Sequence, residues 1–243
     1  MTTSPDTPTP APRRAFHSPA AWATLLLVFG VGLTADLWTK AWSFRTIAGV
    51  PVTWDREYLL AHPEWNPIPR HEPKTAVPGR LLNFRLVINR GAVFGIGQQK
   101  RGFFIAFTGV AIAVGMLLFA RWTLDRHRLA HVALGLILAG GVGNLYDRWQ
   151  HGAVRDFLHM LPDRHLPFGW SWPGGADELF PWVFNVADVL LLVGMGLMML
   201  HINRSDARRR REQAVEPREA PGASDQRDDQ SSRDDAGRSA RAE

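Results

Sequence analysis

Four apolar blocks, each near the length of a bilayer crossing, constrain this chain more than any other feature. They run from about Ala20 to Trp42, Gly102 to Ala120, Leu129 to Tyr146 and Trp182 to His201. A helix of 19 residues rises roughly 28 Å, about one hydrocarbon core. The third block is the shortest and is rich in Gly, which lowers helix propensity but is common where membrane helices pack closely. The first block follows Arg13 and Arg14, as the core of a secretory signal would. It is long, however, and runs on through Asp36 and Lys40 without a clear small-residue cleavage site, so it reads as a membrane helix. The overall hydrophobic content of 46% would suit a soluble protein; the clustering of the apolar residues argues against one.

The formal net charge of +5 reads as topology rather than as nucleic-acid binding, because no RNA- or DNA-binding motif accompanies it. Arg13 and Arg14, the short link with Arg121, Arg126 and Arg128, and the tail from Arg204 through Arg208–Arg211 all favour the cytoplasmic side. Arg90, Lys100 and Arg101 lie on the opposite side and weaken the contrast, but three separate regions agree. Both termini are therefore expected inside, with loops of about 43–101 and 147–181 outside. The first outer loop ends in an apolar, near-alternating run (LLNFRLVINRGAVFGIG) that suggests a small extracytoplasmic sheet. The second carries Pro, Gly and Trp (LPFGWSWPGG), a composition suited to lipid headgroups. Residues 1–18 and 204–243 read as disordered tails flanking one four-helix domain, 19–203. The absence of cysteine excludes disulfides and thiol chemistry.

Charged and amide side chains recur at one end of these blocks. Asp36 and Lys40 are spaced i, i+4; Asn144, Asp147 and Arg148 share one helix face; Asn185 and Asp188 are spaced i, i+3. With the third block running outward and the fourth inward, all of them converge on one membrane level. Asp36 with Lys40 reads best as a structural ion pair. Asp147 with Arg148 reads either as a structural bridge or as a pair whose Arg148 binds a substrate carbonyl. Asp156, taken alone, would pass for a solvated loop acid. Asp188 lies inside an apolar helix (NVADVLLLVG), where an ionisable group is by default a functional candidate. If Asp156 folds back against Asp188, desolvation and like charge raise one carboxyl, and the pair shares a proton.

Four blocks, DLWTK (Asp36–Lys40), NRGAVFG (Asn89–Gly95), GNLYDRWQHGAVRDF (Gly143–Phe157) and FNVADVLLLVG (Phe184–Gly194), occur in this order. In them the chain resembles bacterial lipoprotein signal peptidase, also called signal peptidase II. The resemblance implies a helical membrane protein of four transmembrane helices with a small extracytoplasmic β-cradle in the first outer loop. It implies an aspartyl endopeptidase of the bacterial inner membrane with Asp156 and Asp188 as the catalytic dyad, and with Asn89, Asn144, Asp147, Arg148 and Asn185 lining or supporting the site. Spacing alone does not choose Asp156 over Asp147. The implied substrates are prolipoproteins carrying a diacylglyceryl cysteine, cut just before that residue; no metal, no cofactor and no nucleic acid are implied. Membrane lipids are the other expected partners, and a monomer is expected because one chain carries every proposed catalytic group.

The chain departs from the family pattern in places. Val93 stands where Ala is common, Arg155 precedes the dyad Asp156 and is expected to lower its pKa if it points toward it, and the stretches of about 47–80 and 160–181 are long. Two rival readings explain less. A four-helix transporter or scaffold would account for buried Asp and Asn but not for the ordered blocks. An intramembrane aspartyl protease of the presenilin type would need a GxGD element, which the sequence lacks.

Overall fold

The computed structural model describes residues 13–79, 81–91 and 101–215. Five α-helices are described: α1 (Pro19–Thr46), α2 (Arg56–Ala61), α3 (Arg101–Trp122), α4 (Arg128–Gln150) and α5 (Val186–Val215). Four of them, all but α2, are long and apolar enough to cross a membrane. A sheet of four antiparallel strands is described in the order β1 (Lys74–Val77), β2 (Leu82–Asn89), β3 (Val154–Met160) and β4 (Val183–Phe184). The chain divides into two units, the first reaching His201 and the second starting at Ile202. Everything that bears on the site lies in the first; the second is described as helical to Val215.

Local chemistry sets the helix starts. Ser18 accepts a hydrogen bond from the Ala21 amide (3.3 Å), and Pro19 occupies the first turn, where no N–H partner is needed. Asp55 caps α2 through the Tyr58 amide at 2.7 Å. At α5 the capping is reciprocal. The Asp188 amide donates to Asn185 Oδ1 and the Asn185 amide to Asp188 Oδ2, each at 3.1 Å.

Helix α4 is the axis of the packing. It lies against α1 and α3, and its glycines admit α5. A Cβ on Gly140 would collide with the Ala187 carbonyl and with Leu191, and one on Gly143 with the Asp36 carboxylate. Gly194 of α5 lies against Ile137 and the Ala133 carbonyl. These positions need the absence of a side chain for close approach, which is the use of small residues between membrane helices. By contrast α3 turns Phe103, Phe107, Val110, Val114 and Leu117 outward, all exposed, as lipid-facing residues should be. A cluster of Ala15, Leu25, Phe119, Leu134 and Leu138 closes one end of the bundle. A second, Phe44, Ile47, Val52, Leu86 and Phe157, joins α1 to the sheet.

Three boundaries differ from those the sequence suggested. Residues 13–18 do not form a free tail: Ala15 is buried, its amide donates to the Thr123 carbonyl (2.9 Å), and the Asp125 amide donates to Arg13 (3.0 Å). The expected fourth block starts at Trp182, but α5 starts at Val186 because Val183 and Phe184 pair with His159 and Leu158. At its far end α5 continues past residue 204, where a tail was expected. The sheet is also wider than the first loop, since β3 and β4 come from the second. That pairing puts Asp156 on a strand opposite Val87, and Asn89 opposite Val154. Residues 1–12, Ala92–Gly95 and the expected tail beyond Val215 lie outside the described residues.

Gly140 and its neighbour Gly141 separate close approach from simple helix propensity. A Cβ on Gly141 would meet only Ile112 and Thr108 at 3.8 Å, an ordinary contact. Gly140→Ala is expected to destabilise the bundle by about 1–3 kcal/mol through overpacking. Gly141→Ala is expected to be neutral or slightly stabilising. Thermal unfolding of both variants in detergent checks the contrast.

Candidate active site

The site is built outward from Lys40. Its side chain is fully buried, and so are those of Asp36 and Asp147. The Lys40 ammonium donates to Asp36 Oδ2 at 2.8 Å and to Asn144 Oδ1 at 2.9 Å, and stands 3.7 Å from Asp147 Oδ2. Asp36 uses its other oxygen to accept the Ala187 amide (2.8 Å), which ties α1 to the first turn of α5. The expected structural reading of Asp36 and Lys40 thus has a physical basis: the pair links α1, α4 and α5 rather than decorating a helix end.

Asp147 is neutralised from a second side. Arg155 donates through Nη2 (2.7 Å) to its Oδ1, through Nε (3.2 Å) to both oxygens and through its backbone amide (3.0 Å) to Oδ2. Arg155 was expected to lower the pKa of Asp156 if it pointed toward it. It points instead to Asp147, because successive residues of a strand face opposite sides. Asp147 therefore fastens the start of β3 to the end of α4 through Arg155.

Asp156 and Asp188 meet through amides. The Asn185 side chain donates to Asp156 Oδ1 (2.6 Å) and to Asn144 Oδ1 (3.1 Å), and the Asn144 side chain donates to Asp188 Oδ1 (2.8 Å). Asn89 lies beside Asp156 and favours its ionised form. Its Oδ1 accepts the Gly91 amide at 2.9 Å, in a turn where Gly91 takes φ +105°. Asp156 is 1% exposed. Its burial, and then the charge of Asp188, push its carboxyl up to about 7. Asp188 sits in the first turn of α5, where the helix dipole favours negative charge. The Arg148 guanidinium interacts electrostatically with Asp156, Asp188 and Asp147 and lies 5.1 Å over the Phe104 ring. Phe104 in turn packs on Gly91, so α3 closes this side of the site.

All nine candidate residues are thus described, and their interactions join them into one network. Sequence reasoning had no role for the neighbouring Arg90. Its guanidinium bonds the carbonyls of Leu59 (3.2 Å), His62 (3.1 Å) and Trp65, and so holds the connection around α2 against the end of β2. Its place beside Asn89 in the NRG element was the available signal. Among the described residues no cluster of three or more His, Cys, Asp or Glu side chains suits a metal ion.

Fold and site together define a multi-pass helical membrane protein with a buried carboxyl, Asp156, joined to a partly buried one, Asp188, at one end of its bundle. The family model for signal peptidase (SPase) II matches residues 28–204, and the chain belongs to that family. Lipoprotein signal peptidase of Anaeromyxobacter sp. is 31% identical over 201 residues, covering 78% of this chain and 87% of that one. Lipoprotein signal peptidase of Symbiobacterium thermophilum is 40% identical over 132 residues, covering 54% and 76%. In fold the chain is similar to a bacterial membrane enzyme determined by the in meso method at 2.3 Å resolution. The TM-score is 0.55 at 23% identity, covering 82% of this chain and 96% of the other.

Removing the central cation should expose what it neutralises. Lys40→Met leaves Asp36 buried with one backbone donor and Asp147 with Arg155 alone. Breaking such a buried arrangement costs about 3–5 kcal/mol. The variant is expected to melt on the order of 10 °C lower in detergent than the parent; thermal unfolding with a check of monodispersity measures it.

Proposed function

We propose that this chain is an aspartyl endopeptidase that removes the signal peptide from diacylglyceryl-modified bacterial prolipoproteins, cutting just before the lipidated cysteine. The observation that carries this reading is the joining of Asp156 and Asp188 through Asn185 and Asn144, with the Asp156 carboxyl raised to about 7. A carboxyl raised in this way can hold the proton of the pair, so that one member serves as acid and the other as base. The reading takes Asp156 as the protonated member and Asp188, at the helix N-terminus, as the ionised one.

In the proposed reaction Asp188 takes a proton from water as the oxygen bonds to the scissile carbonyl carbon. Asp156 gives its proton to the carbonyl oxygen. The resulting tetrahedral diol collapses as the C–N bond breaks: one hydroxyl returns its proton to Asp156 as the carbonyl re-forms, and the cysteine amine leaves with the proton held by Asp188. Arg148 and Asn89 are positioned to hold the peptide backbone. Asp36, Lys40, Asp147 and Arg155 hold the helices and β3 in register and do not react. The substrate's acyl chains, lying against the lipid-facing helices, would hold the cysteine at the depth of the dyad and supply orientation. The setting proposed is the bacterial inner membrane, with both termini cytoplasmic, the site at the extracytoplasmic face and a single chain as the working unit.

The test is a gel-shift cleavage assay with a diacylglyceryl-modified prolipoprotein. Asp156→Asn and Asp188→Asn are each expected to lose about 10²–10⁴-fold in rate while remaining folded. Cleavage surviving in either variant would move the catalytic acid elsewhere and make Asp147 the next candidate. Folded wild type that does not cut this substrate would favour a scaffold or transporter.

The pH dependence follows from the same assignment. Asp156 must carry its proton to act as acid, so kcat/KM is expected to fall as pH rises through about 7. Stability follows the same sign. Between the ordinary carboxylate range and about 7 the folded protein keeps a proton that the unfolded chain has lost, so stability falls as pH rises through that window. Asp156→Asn removes this dependence. The variant is expected to melt on the order of 5 °C above wild type at pH 8 and to lose the advantage near pH 4. Unfolding curves at the two pH values, beside the rate profile, check both halves.

A further inference from the structure

A cavity of about 480 Å³ lies on the other side of β3 from the dyad. Its walls include Phe44, Arg45, Trp54, Arg56, His151 and Arg155, drawn from the end of α1, the start of α2, the end of α4 and β3. The proposed mechanism uses none of its volume. Arg155 faces this way because it alternates with Asp156 along the strand, and Phe44 and Val52 continue the cavity into the cluster that contains Phe157. The size is that of a small-molecule site.

The electrostatic balance of the walls favours an anion. Three guanidinium groups, Arg45, Arg56 and Arg155, stand against one carboxylate, Asp55. Asp55 already accepts the Tyr58 amide at 2.7 Å, and the charge of Arg155 is met by Asp147. Among the described residues, Arg45 and Arg56 have no carboxylate partner, and the buried Nε of Arg56 has no hydrogen-bond partner. Burial, and then the charge of Arg155, hold His151 below the usual imidazole range, so it adds a neutral ring rather than a fourth cation. A buried guanidinium N–H without an acceptor is costly, and an oxyanion supplies that acceptor in the geometry guanidinium favours.

The level of the cavity indicates the anion's source. Arg45 is in the last turn of α1 and Gln150 is the last residue of α4, where both apolar helices end. Trp42, Tyr146 and Trp149 are 37%, 39% and 60% exposed near the same ends. Exposed Trp and Tyr at the ends of membrane helices mark the headgroup layer. We propose that this cavity binds the phosphodiester headgroup of an anionic phospholipid, held by Arg45 and Arg56 with Trp54 as one wall. The bound headgroup would brace the α1–α4 end from the side of β3 opposite Asp156. This inference does not depend on the proposed reaction.

Native mass spectrometry of the full chain in a neutral detergent tests it, with dioctanoyl phosphatidylglycerol, dioctanoyl phosphatidylcholine and inorganic phosphate as separate probes. Wild type is expected to bind the glycerol lipid at least about fivefold more tightly than the choline lipid, as two favourable charge contacts allow. Arg45→Gln with Arg56→Gln is expected to bring the two lipids to parity, while the matching Lys pair keeps most of the preference. If the double Gln variant is not monodisperse, the single Arg56→Gln variant is read in its place and is expected to lose part of the preference. Equal binding of the two lipids by wild type would overturn the proposal, as would a preference that survives the Gln variants unchanged. Displacement of the glycerol lipid by inorganic phosphate at equal concentration would overturn the lipid as the source, leaving a site for the free anion.

Discussion

A lysine ammonium with no exposed surface holds this protein together. Lys40 is an i, i+4 partner of Asp36, which on a solvated helix would contribute only a few tenths of a kcal/mol. Here the pair is buried, and its remaining bonds run to two other helices: Asn144 on α4 and the Ala187 amide on α5. Burying a charge is tolerable only when it is paired and its donors are satisfied. Lys40 is therefore correct only when α1, α4 and α5 are docked together, and the glycines of α4 are what let them come close enough. Packing and electrostatics select the same arrangement.

From that arrangement the two carboxylates of α4 and β3 acquire different surroundings. Asp147 is met by Lys40 and Arg155, two cations. Asp156 is met by the Asn185 amide and by the like charge of Asp188, and the cations that act on it, Lys40 and Arg148, also act on other carboxylates. Amides orient a carboxyl without neutralising it. The side bonded directly to cations serves as structure. The side bonded by an amide, with its cations shared, keeps its proton up to about 7, and that property is the one an acid catalyst uses. Arg155 is the residue that separates the two. Its side chain takes Asp147 while its backbone carries the strand on to Asp156.

What was legible in the sequence follows the range of the interactions involved. The four membrane helices could be read because their signal is composition over about twenty residues, and bilayer thickness imposes it. Polar residues at i, i+3 and i, i+4 could be placed on common faces for the same local reason. The reciprocal cap at Asn185 and Asp188 was also local, though it was read only as spacing. The sheet was half visible. Its strands β1 and β2 lie in one loop, but the pairing of β2 with β3 joins residues about seventy apart, and no local pattern encodes that register. Arg155 was misdirected for a related reason: its neighbour in sequence was Asp156, while its partner in space was eight residues back across the turn. The choice of Asp156 over Asp147 came from resemblance, and the difference in their surroundings now gives that choice a physical argument.

The same bonds suggest why polar groups can persist at the edge of an apolar bundle without opening it. Each of Asp36, Lys40, Asn144, Asp147 and Asn185 has at least two partners on other segments or other turns. With Asp156 protonated, the charges of Asp36, Lys40, Asp147 and Arg155 balance, and Asp188 is opposed by Arg148. Deprotonating Asp156 adds an anion beside Asp188, and the cations that act on Asp156, Arg148 and Lys40, are already shared with other carboxylates. The group proposed to do the chemistry is thus the one whose ionisation the fold resists. Asn at that position would relieve the resistance and remove the acid together, so the expected gain in stability and the loss of cleavage have one origin.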